Sequence, residues 1–344
     1  MSAIDDATPA EPPKRVTAAQ IAREAGVSVP TVSRVLNGHA DVSPETRARV
    51  ERLLDVRGYR RRTRQRQTVH LVDLVFPDLD STWAVEIIRG VEETTHAEGV
   101  GTVVSAIHGR VDSARQWLQN VRERDCDAVI FVTSHLEPQL QVELRKLDVP
   151  TVVVDPTGGP ERSGPSIGAT NWSGGLSATQ HLLDLGHRTV WHVAGPPDWF
   201  EAAGRQAGWR QVLEEAGADV PPALPGDWTA RSGYEAGRLL ARIPEVTAVF
   251  TANDPAALGL LCALAEAGRR VPEDLSIVGF DDVPESAYFT PPLTTVRQDF
   301  AEVGRRGVSQ LLELINAQER TSRREMIQPT LTIRSSTAPP AAAR

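Results

Sequence analysis

The sequence predicts a small all-α head of three helices, joined by a basic linker to an α/β body of two lobes, each built round a parallel sheet. Three observations carry this. Between Lys14 and Gly58 apolar residues recur at helical spacing in three short, capped runs. From Val69 onward apolar runs alternate with amphipathic stretches, the pattern of strand and crossover helix. Charge divides between the same regions: Lys14 to Arg66 holds 13 Lys and Arg against 5 Asp and Glu, or +8, leaving −16 for the rest of a chain whose net charge is −8. At 344 residues the chain also exceeds what one compact core holds. The expected division is a disordered tail 1–13, head 14–58, linker 59–68, body 69–337 and disordered tail 338–344.

In the head, Thr17 is placed to cap a first helix whose inward face carries Ile21 and Ala25 and which Gly26 stops. Val27 buries in the turn, and Ser28 caps a second helix over Val29–Asn37 with Val32, Val35 and Leu36 inward. Ser43 followed by Pro44 opens a third, in which Val50, Leu53 and Leu54 close the core. A compact basic unit of this kind concentrates attraction for phosphate at one end of the chain. The major groove of duplex DNA admits one α-helix, and the outward residues of helix two, Val29, Pro30, Thr31, Ser33, Arg34 and Asn37, are candidates to enter it. Arg34 reads as a base or phosphate donor, Thr31 and Ser33 as phosphate hydroxyls, and the amides near Ser28 as further phosphate ligands. The competing reading of each residue singly is a solvated helix face.

In the body, a first strand and helix series covers Val69–Phe76, Thr82–Glu98, Thr102–Ile107, Ser113–Arg124, Ala128–Thr133, Leu140–Leu147 and Thr151–Asp155. A second has strands near Thr189–Ala194, Ala248–Ala252 and Ser276–Phe280, helices near Gly174–Leu185, Arg205–Ala216, Gly233–Arg242 and Ala256–Ala267, and a last strand at Thr330–Arg334. Open parallel sheets bind ligands beyond the carboxyl ends of their strands. That marks Asp78, Asp80, Asp155, Asn253, Asp254, Asp281 and Asp282. Arg205, Gln298 and Trp228 suit a sugar, whose vicinal hydroxyls want bidentate polar partners and whose C–H face wants a flat ring; Trp83 offers a second ring. Trp83, Asp80 and Asp155 are equally read as packing or helix-capping residues.

Other classes find little support. No stretch reaches 18 apolar residues and the N-terminus lacks the basic-then-apolar order of a secretory signal, so a cytoplasmic protein with no membrane partner is expected. Cys126 and Cys262 are far apart without metal-ligand spacing and read as reduced, structural thiols; no metal or cofactor is expected. His181, His187 and His192 show no metal or triad spacing, no phosphate-cradling loop or nucleophile elbow occurs, and no catalytic residue is assigned. An enzyme of sugar metabolism and a secreted solute-binding protein of a sugar transport system remain the rivals from other classes.

Val16-Thr17, Ile21-Ala22, Ala25-Gly-Val-Ser28, Thr31-Val-Ser-Arg-Val-Leu-Asn37 and Val42-Ser43 together resemble the lac repressor family of bacterial regulators, and the resemblance runs through nearly the whole chain. It implies a helix-turn-helix head on pseudo-palindromic operator DNA, a periplasmic-binding-protein-like effector domain and a homodimer. It also implies that Val29 and Pro30 distinguish operators while Arg34 makes a contact shared across the family. Neither Val nor Pro offers a side-chain hydrogen bond, so reading there is by apolar contact. Arg205 before Ala-Gly-Trp209, Asn253, Asp281 in Val278-Gly-Phe-Asp-Asp282 and Gln298 match the family's ligand contacts, with Asp155 and Trp228 as weaker transfers. The function implied is repression of carbohydrate-utilisation genes relieved by a sugar inducer; the alternative is a corepressor, as purine repressors use a nucleobase. The Pro-rich end after Ser335 lacks a leucine heptad, so no tetramerising coiled coil is expected.

The linker departs from its family. Tyr59–Thr68 has no apolar residue after the tyrosine and lacks the leucine that family hinge helices wedge into the minor groove. Its five arginines, Arg60, Arg61, Arg62, Arg64 and Arg66, are read as replacing that wedge with phosphate contacts or insertion into a narrow minor groove, the alternative being a solvated tether. Replacing three of them by Ala should flatten the log–log salt dependence of operator binding by roughly 2 to 3; an unchanged slope in a titration from low to moderate salt would show them idle.

Overall fold

A computed structural model describes residues 18–36, 42–57, 69–79, 82–108, 111–132, 149–154, 165–316 and 323–341, which fall into two compact units divided after Gln67. The first contains helices α1 (Ala18–Ala25), α2 (Val29–Leu36) and α3 (Pro44–Val56). Gly26 takes a left-handed φ of 65° between α1 and α2, a conformation that costs glycine nothing. Ser28 then accepts a hydrogen bond from the Thr31 amide at 3.3 Å, and Ser43 one from the Thr46 amide at 3.3 Å, the capping that the spacing predicts. Ile21, Val32 and Val50 are fully buried, with Ala22, Ala25, Val35, Val42 and Leu54 around them. The helices pack because each buries one stripe; a bidentate Arg57–Glu24 pair at 2.9 and 3.0 Å, largely exposed, adds little.

The second unit has two lobes. The first lobe's sheet, in the order β10-β5-β4-β3-β1-β2, comprises β1 (Leu71–Phe76), β2 (Gly101–Ala106), β3 (Ala128–Val132), β4 (Thr151–Val154), β5 (Ser166–Ala169) and β10 (Arg324–Ile327), all paired in parallel. One face carries α4 (Thr82–Ala97) and α10 (Phe300–Asn316) over Val72, Leu74, Ile130 and Val154; the other carries α5 (Val111–Glu123), with Trp117 against Phe131. Gly90 lets α4 and α10 touch through their backbones: a Cβ there would stand 2.0 Å from the Ala301 carbonyl oxygen.

The second lobe's sheet runs β11-β9-β8-β7-β6, from β6 (Trp191–Val193), β7 (Ala248–Thr251), β8 (Ser276–Asp281), β9 (Thr294–Arg297) and β11 (Thr330–Thr332). It differs from the expected all-parallel sheet at its edge, where β11 pairs antiparallel to β9. Helices α6 (Asn171–Asp184) and α7 (Phe200–Glu215) cover one face, α8 (Ala230–Leu240) and α9 (Asp254–Glu266) the other. The two series predicted in sequence order are in fact interleaved: the chain passes between lobes after β5, returns from β9 into α10, and passes again from β10 to β11. Three crossings join the lobes, and two of them touch where Thr170 donates to the Gln328 side chain at 2.9 Å.

Two further expectations change. The C-terminal segment is packed as far as Ala338: Ser336 accepts the Thr294 amide at 2.8 Å, and the Ala338 carbonyl accepts from His187 at 3.0 Å. Cys126 is buried as a structural thiol would be, but Cys262 is exposed.

His192 on β6 is fully buried, its ring stacked on Phe250 at 4.8 Å and close to Trp209 at 5.2 Å, with Nδ1 donating to the Phe250 carbonyl at 3.0 Å. Burial pushes its pKa from 6.5 down to about 4. The unfolded chain therefore binds a proton that the folded chain refuses, so stability is undiminished above pH 6.5 and falls as pH drops toward 4. At about 1.4 kcal/mol per pH unit the loss amounts to roughly 3 kcal/mol. All seven tryptophans lie beyond residue 68, so urea unfolding followed by tryptophan emission reports this unit alone. His192→Phe should unfold with a shallower acid loss than wild type, and parallel pH profiles would refute the assignment.

Candidate ligand site and DNA-reading helix

The site centres on Arg205, in the second turn of α7 and only 5% exposed. A buried guanidinium is stable when its donors are satisfied. Here Nε donates to Asn171 Oδ1 at 2.7 Å, Nη1 donates to the Ala252 carbonyl, and Nη2 faces Asp281 Oδ1 at 3.3 Å. Its Cζ lies 3.8 Å from the centre of the Phe280 ring and 5.1 Å from that of Trp228. Asp281 ends β8, where Gln298 also donates to its Oδ1 at 2.8 Å. Burial raises the Asp281 pKa, opposed by the Arg205 charge and the two hydrogen bonds.

The backbone is strained here: φ is +106° at Asp281 and +55° at Asp282. Two clamps hold it. Asp254, fully buried at the start of α9, accepts from the Val283 amide at 2.9 Å and Thr295 Oγ1 at 2.5 Å; burial pushes its carboxyl well above the ordinary range. Asp282 receives Arg334 Nη2 at 2.6 Å and the Ser286 hydroxyl at 3.2 Å. Both carboxylates were candidates because they follow strands, yet both are committed to holding the turn.

Asn253 has a similar fate. Its Oδ1 caps α9 through the Ala256 amide at 3.0 Å, and its Nδ2 donates to the Trp228 carbonyl at 2.9 Å. The amide thus positions Trp228, itself at a left-handed φ of +70°, with its ring lying on Gly195, where a Cβ would meet it at 2.6 Å. The Trp228 Nε1–H finds no acceptor among the described residues.

Trp83 stands on the other lobe, stacked on Phe300 at 5.7 Å. Trp83 and Phe300 line a cavity of about 530 Å³ together with Asp281, Gln298, Tyr288 and Arg297, a size suited to a small ligand. Thus Arg205, Trp228, Asn253, Asp281 and Gln298 form one bonded and stacked cluster, of which Asp281 and Gln298 reach the cavity that Trp83 also lines. Asp78 is exposed and faces His108 at 3.3 Å instead. Sequence reasoning missed Asn171, Phe280 and Phe300; Phe300, two residues after Gln298, was within reach of the reasoning that chose Gln298. Thr17, Asn37, Arg60, Arg61, Arg62, Arg64, Arg66, Asp80, Asp155 and the side chain of Ser33 lie outside the described residues.

On α2, Ser28, Val29, Pro30 and Arg34 are exposed, Val29 to 46%, while Val32 and Val35 are inward. The Ser28 and Thr31 hydroxyls are 2.8 Å apart at the start of the helix. Among the described residues no cluster of three or more His, Cys, Asp or Glu could hold a metal, and no helix is long and apolar enough to cross a membrane.

Residues 17–62 match the family described as bacterial regulatory proteins, lacI family, and residues 179–337 a periplasmic binding protein-like domain. The HTH-type transcriptional repressor PurR of Pasteurella multocida (strain Pm70) is 31% identical over 331 residues, covering 93% of this chain and 98% of that protein. The chain belongs to the lacI family. A PurR from Vibrio campbellii is 30% identical over 332 residues. Among solved structures, the transcriptional regulator CelR in complex with cellobiose is 33% identical, with a TM-score of 0.70 over 94% of this chain and all of that one. The lac repressor dimer bound to operator and the anti-inducer ONPF is 29% identical, with a TM-score of 0.69 over the same shares. This lacI-family chain is a DNA-binding transcriptional repressor and not an enzyme, with a helix-turn-helix head and a two-lobed effector domain.

The double duty of Asn253 is open to test. Asn253→Ser keeps an uncharged acceptor that caps α9 but removes the donor to Trp228, so most of the stability should hold while acrylamide quenching of tryptophan emission rises. Asn253→Ala loses both and should cost about 1 kcal/mol more. Equal behaviour of the two variants in urea melts and quenching would remove Asn253 from this role.

Proposed function

We infer that the protein binds a pseudo-palindromic operator as a homodimer, and that a carbohydrate held against Arg205, Asp281 and Gln298 releases it to allow transcription of carbohydrate-utilisation genes. The observation that carries the ligand class is this cluster, whose Asp281 and Gln298 reach the cavity. A buried guanidinium–carboxylate–amide group beside the Trp228 ring offers donors and acceptors to vicinal hydroxyls and a flat surface to a pyranose. The bound cellobiose of CelR and the ribose of an Enterococcus faecium regulator of the family, 27% identical, support the same class. On the head, Arg34, Val29, Pro30, Thr31, Ser33 and Asn37 are the residues proposed to meet the operator, with Thr17, Ser28 and the linker arginines on phosphates.

Coupling follows from linkage. A ligand that prefers one angle between the lobes shifts the population toward it, and that angle sets the spacing at which a dimer presents two heads to two half-sites. A second reading has a specific observation behind it. The sequence relatives at 30% and 31% identity are PurR repressors, which favours a nucleobase-type corepressor that tightens operator binding.

Fluorescence anisotropy with operator DNA decides between them. Release by a mono- or disaccharide, with no effect of adenine, guanine or hypoxanthine, is the expected outcome. Tightening by a nucleobase establishes the second reading, and operator affinity that ignores both panels overturns both.

A further inference from the structure

The aromatic surface beside the polar cluster does not end at Trp228. Trp199, immediately before α7, meets Trp228 edge to face, with ring centres 6.0 Å apart and planes at 72°. Trp199 is 43% exposed, whereas Trp209 in the same helix is fully buried. Aromatic rings therefore run from the interior outward: Phe280 under the Arg205 guanidinium, Trp228 beside it, then Trp199 at the surface. The polar groups do not follow. Arg205 directs Nε to Asn171, Nη1 to Ala252 and Nη2 to Asp281, and Gln298 is bound to the same carboxylate, so the polar cluster lies at one end of this row.

A site with its hydrogen-bonding groups at the buried end and an aromatic extension at the open end fits a ligand of matching asymmetry. One ring is gripped through its hydroxyls, and the next is covered on its C–H face without directional bonds. Resting on the carbohydrate reading above, we propose that the effector is an oligosaccharide of at least two rings, with Trp199 the platform for the second. A monosaccharide confined to the polar end leaves Trp199 untouched. A tryptophan half in water beside a buried aromatic neighbour gains most from a partner that covers its free surface, because so large a ring buries much apolar area.

Isothermal titration of the full chain with paired sugars, glucose with cellobiose, galactose with lactose and xylose with xylobiose, tests this. In the pair that binds, the disaccharide should bind at least tenfold tighter than its monosaccharide, a difference of about 1.4 kcal/mol. Trp199→Ala should cost the disaccharide at least that tenfold while shifting the monosaccharide by less than twofold, and Trp199→Phe should restore most of the loss. Melting curves matching wild type would show that both variants are folded. A monosaccharide binding as tightly as its disaccharide, or Trp199→Ala weakening both equally, overturns the assignment of Trp199 while leaving the carbohydrate reading intact. Failure of the wild-type chain to bind any of the six sugars overturns the carbohydrate reading and the second-ring platform with it.

Discussion

A guanidinium and a carboxylate buried together at the carboxyl end of a sheet set the terms for the rest of the effector domain. Removing either charge from water is costly unless it is paired and hydrogen-bonded. Arg205 meets that condition by drawing on three separate elements: Asn171 at the start of α6, the Ala252 carbonyl after β7, and Asp281 at the end of β8. Each of these must stay in place for the charge to remain tolerable. Phe280 lies beneath the guanidinium, and Asp281 meets the arginine from a left-handed backbone at the end of β8. The strain persists because Asp254 holds the Val283 amide and Arg334 holds the Asp282 carboxylate.

The junction between lobes shares atoms with this cluster. Gln298 lies between β9 and α10, on one of the three crossings, and its amide donates to Asp281. Each lobe closes its own apolar core, one around Val72, Ile130 and Leu311, the other around Phe250, Leu260 and Ile277. Backbone contact between Gly90 and Ala301 fixes α10 to its lobe. Two well-packed bodies joined by short strands favour motion at the joint over deformation inside either body. A ligand that competes for Asp281 therefore acts on a residue bonded to the joint.

The head was legible almost entirely, because its signals are local: helical spacing of Ile21, Ala25, Val32 and Val35, a glycine stop, serine caps. The two lobes were legible as alternation, but their interleaving was not. The four-residue strands β5, β9 and β10 and helix α10 escaped because no local pattern tells a chain to leave one sheet and return to it. Arg205, Asp281 and Gln298 came from strand-end reasoning and family resemblance, and they meet in space. Asn253, Asp254 and Asp282 came by the same route, and their polar atoms turn to backbone and to Arg334. Residue type and position fix that a group ends a strand; which way its hydrogen bonds run depends on neighbours 25 to 52 residues distant. The tail from Ala338 misled for the opposite reason, since small and Pro-rich composition resembles a loose end although Ala338 stitches onto β8 through Ser276.

The two units differ in how much structure they can sustain. A head of roughly 40 residues sits at the size where one apolar core barely offsets chain entropy, and its core rests on Ile21, Val32 and Val50 with Ala22, Ala25, Val35, Val42 and Leu54 around them. Its exposed Arg57–Glu24 pair contributes little against that entropy. Binding to DNA stabilises whatever state it selects by mass action, so operator contact and the order of the head reinforce one another. The effector domain, with two sheets covered on both faces, needs no such help. Its two cores enclose a buried charge pair and a pair of left-handed aspartates, costs that packing on both faces of the sheets offsets.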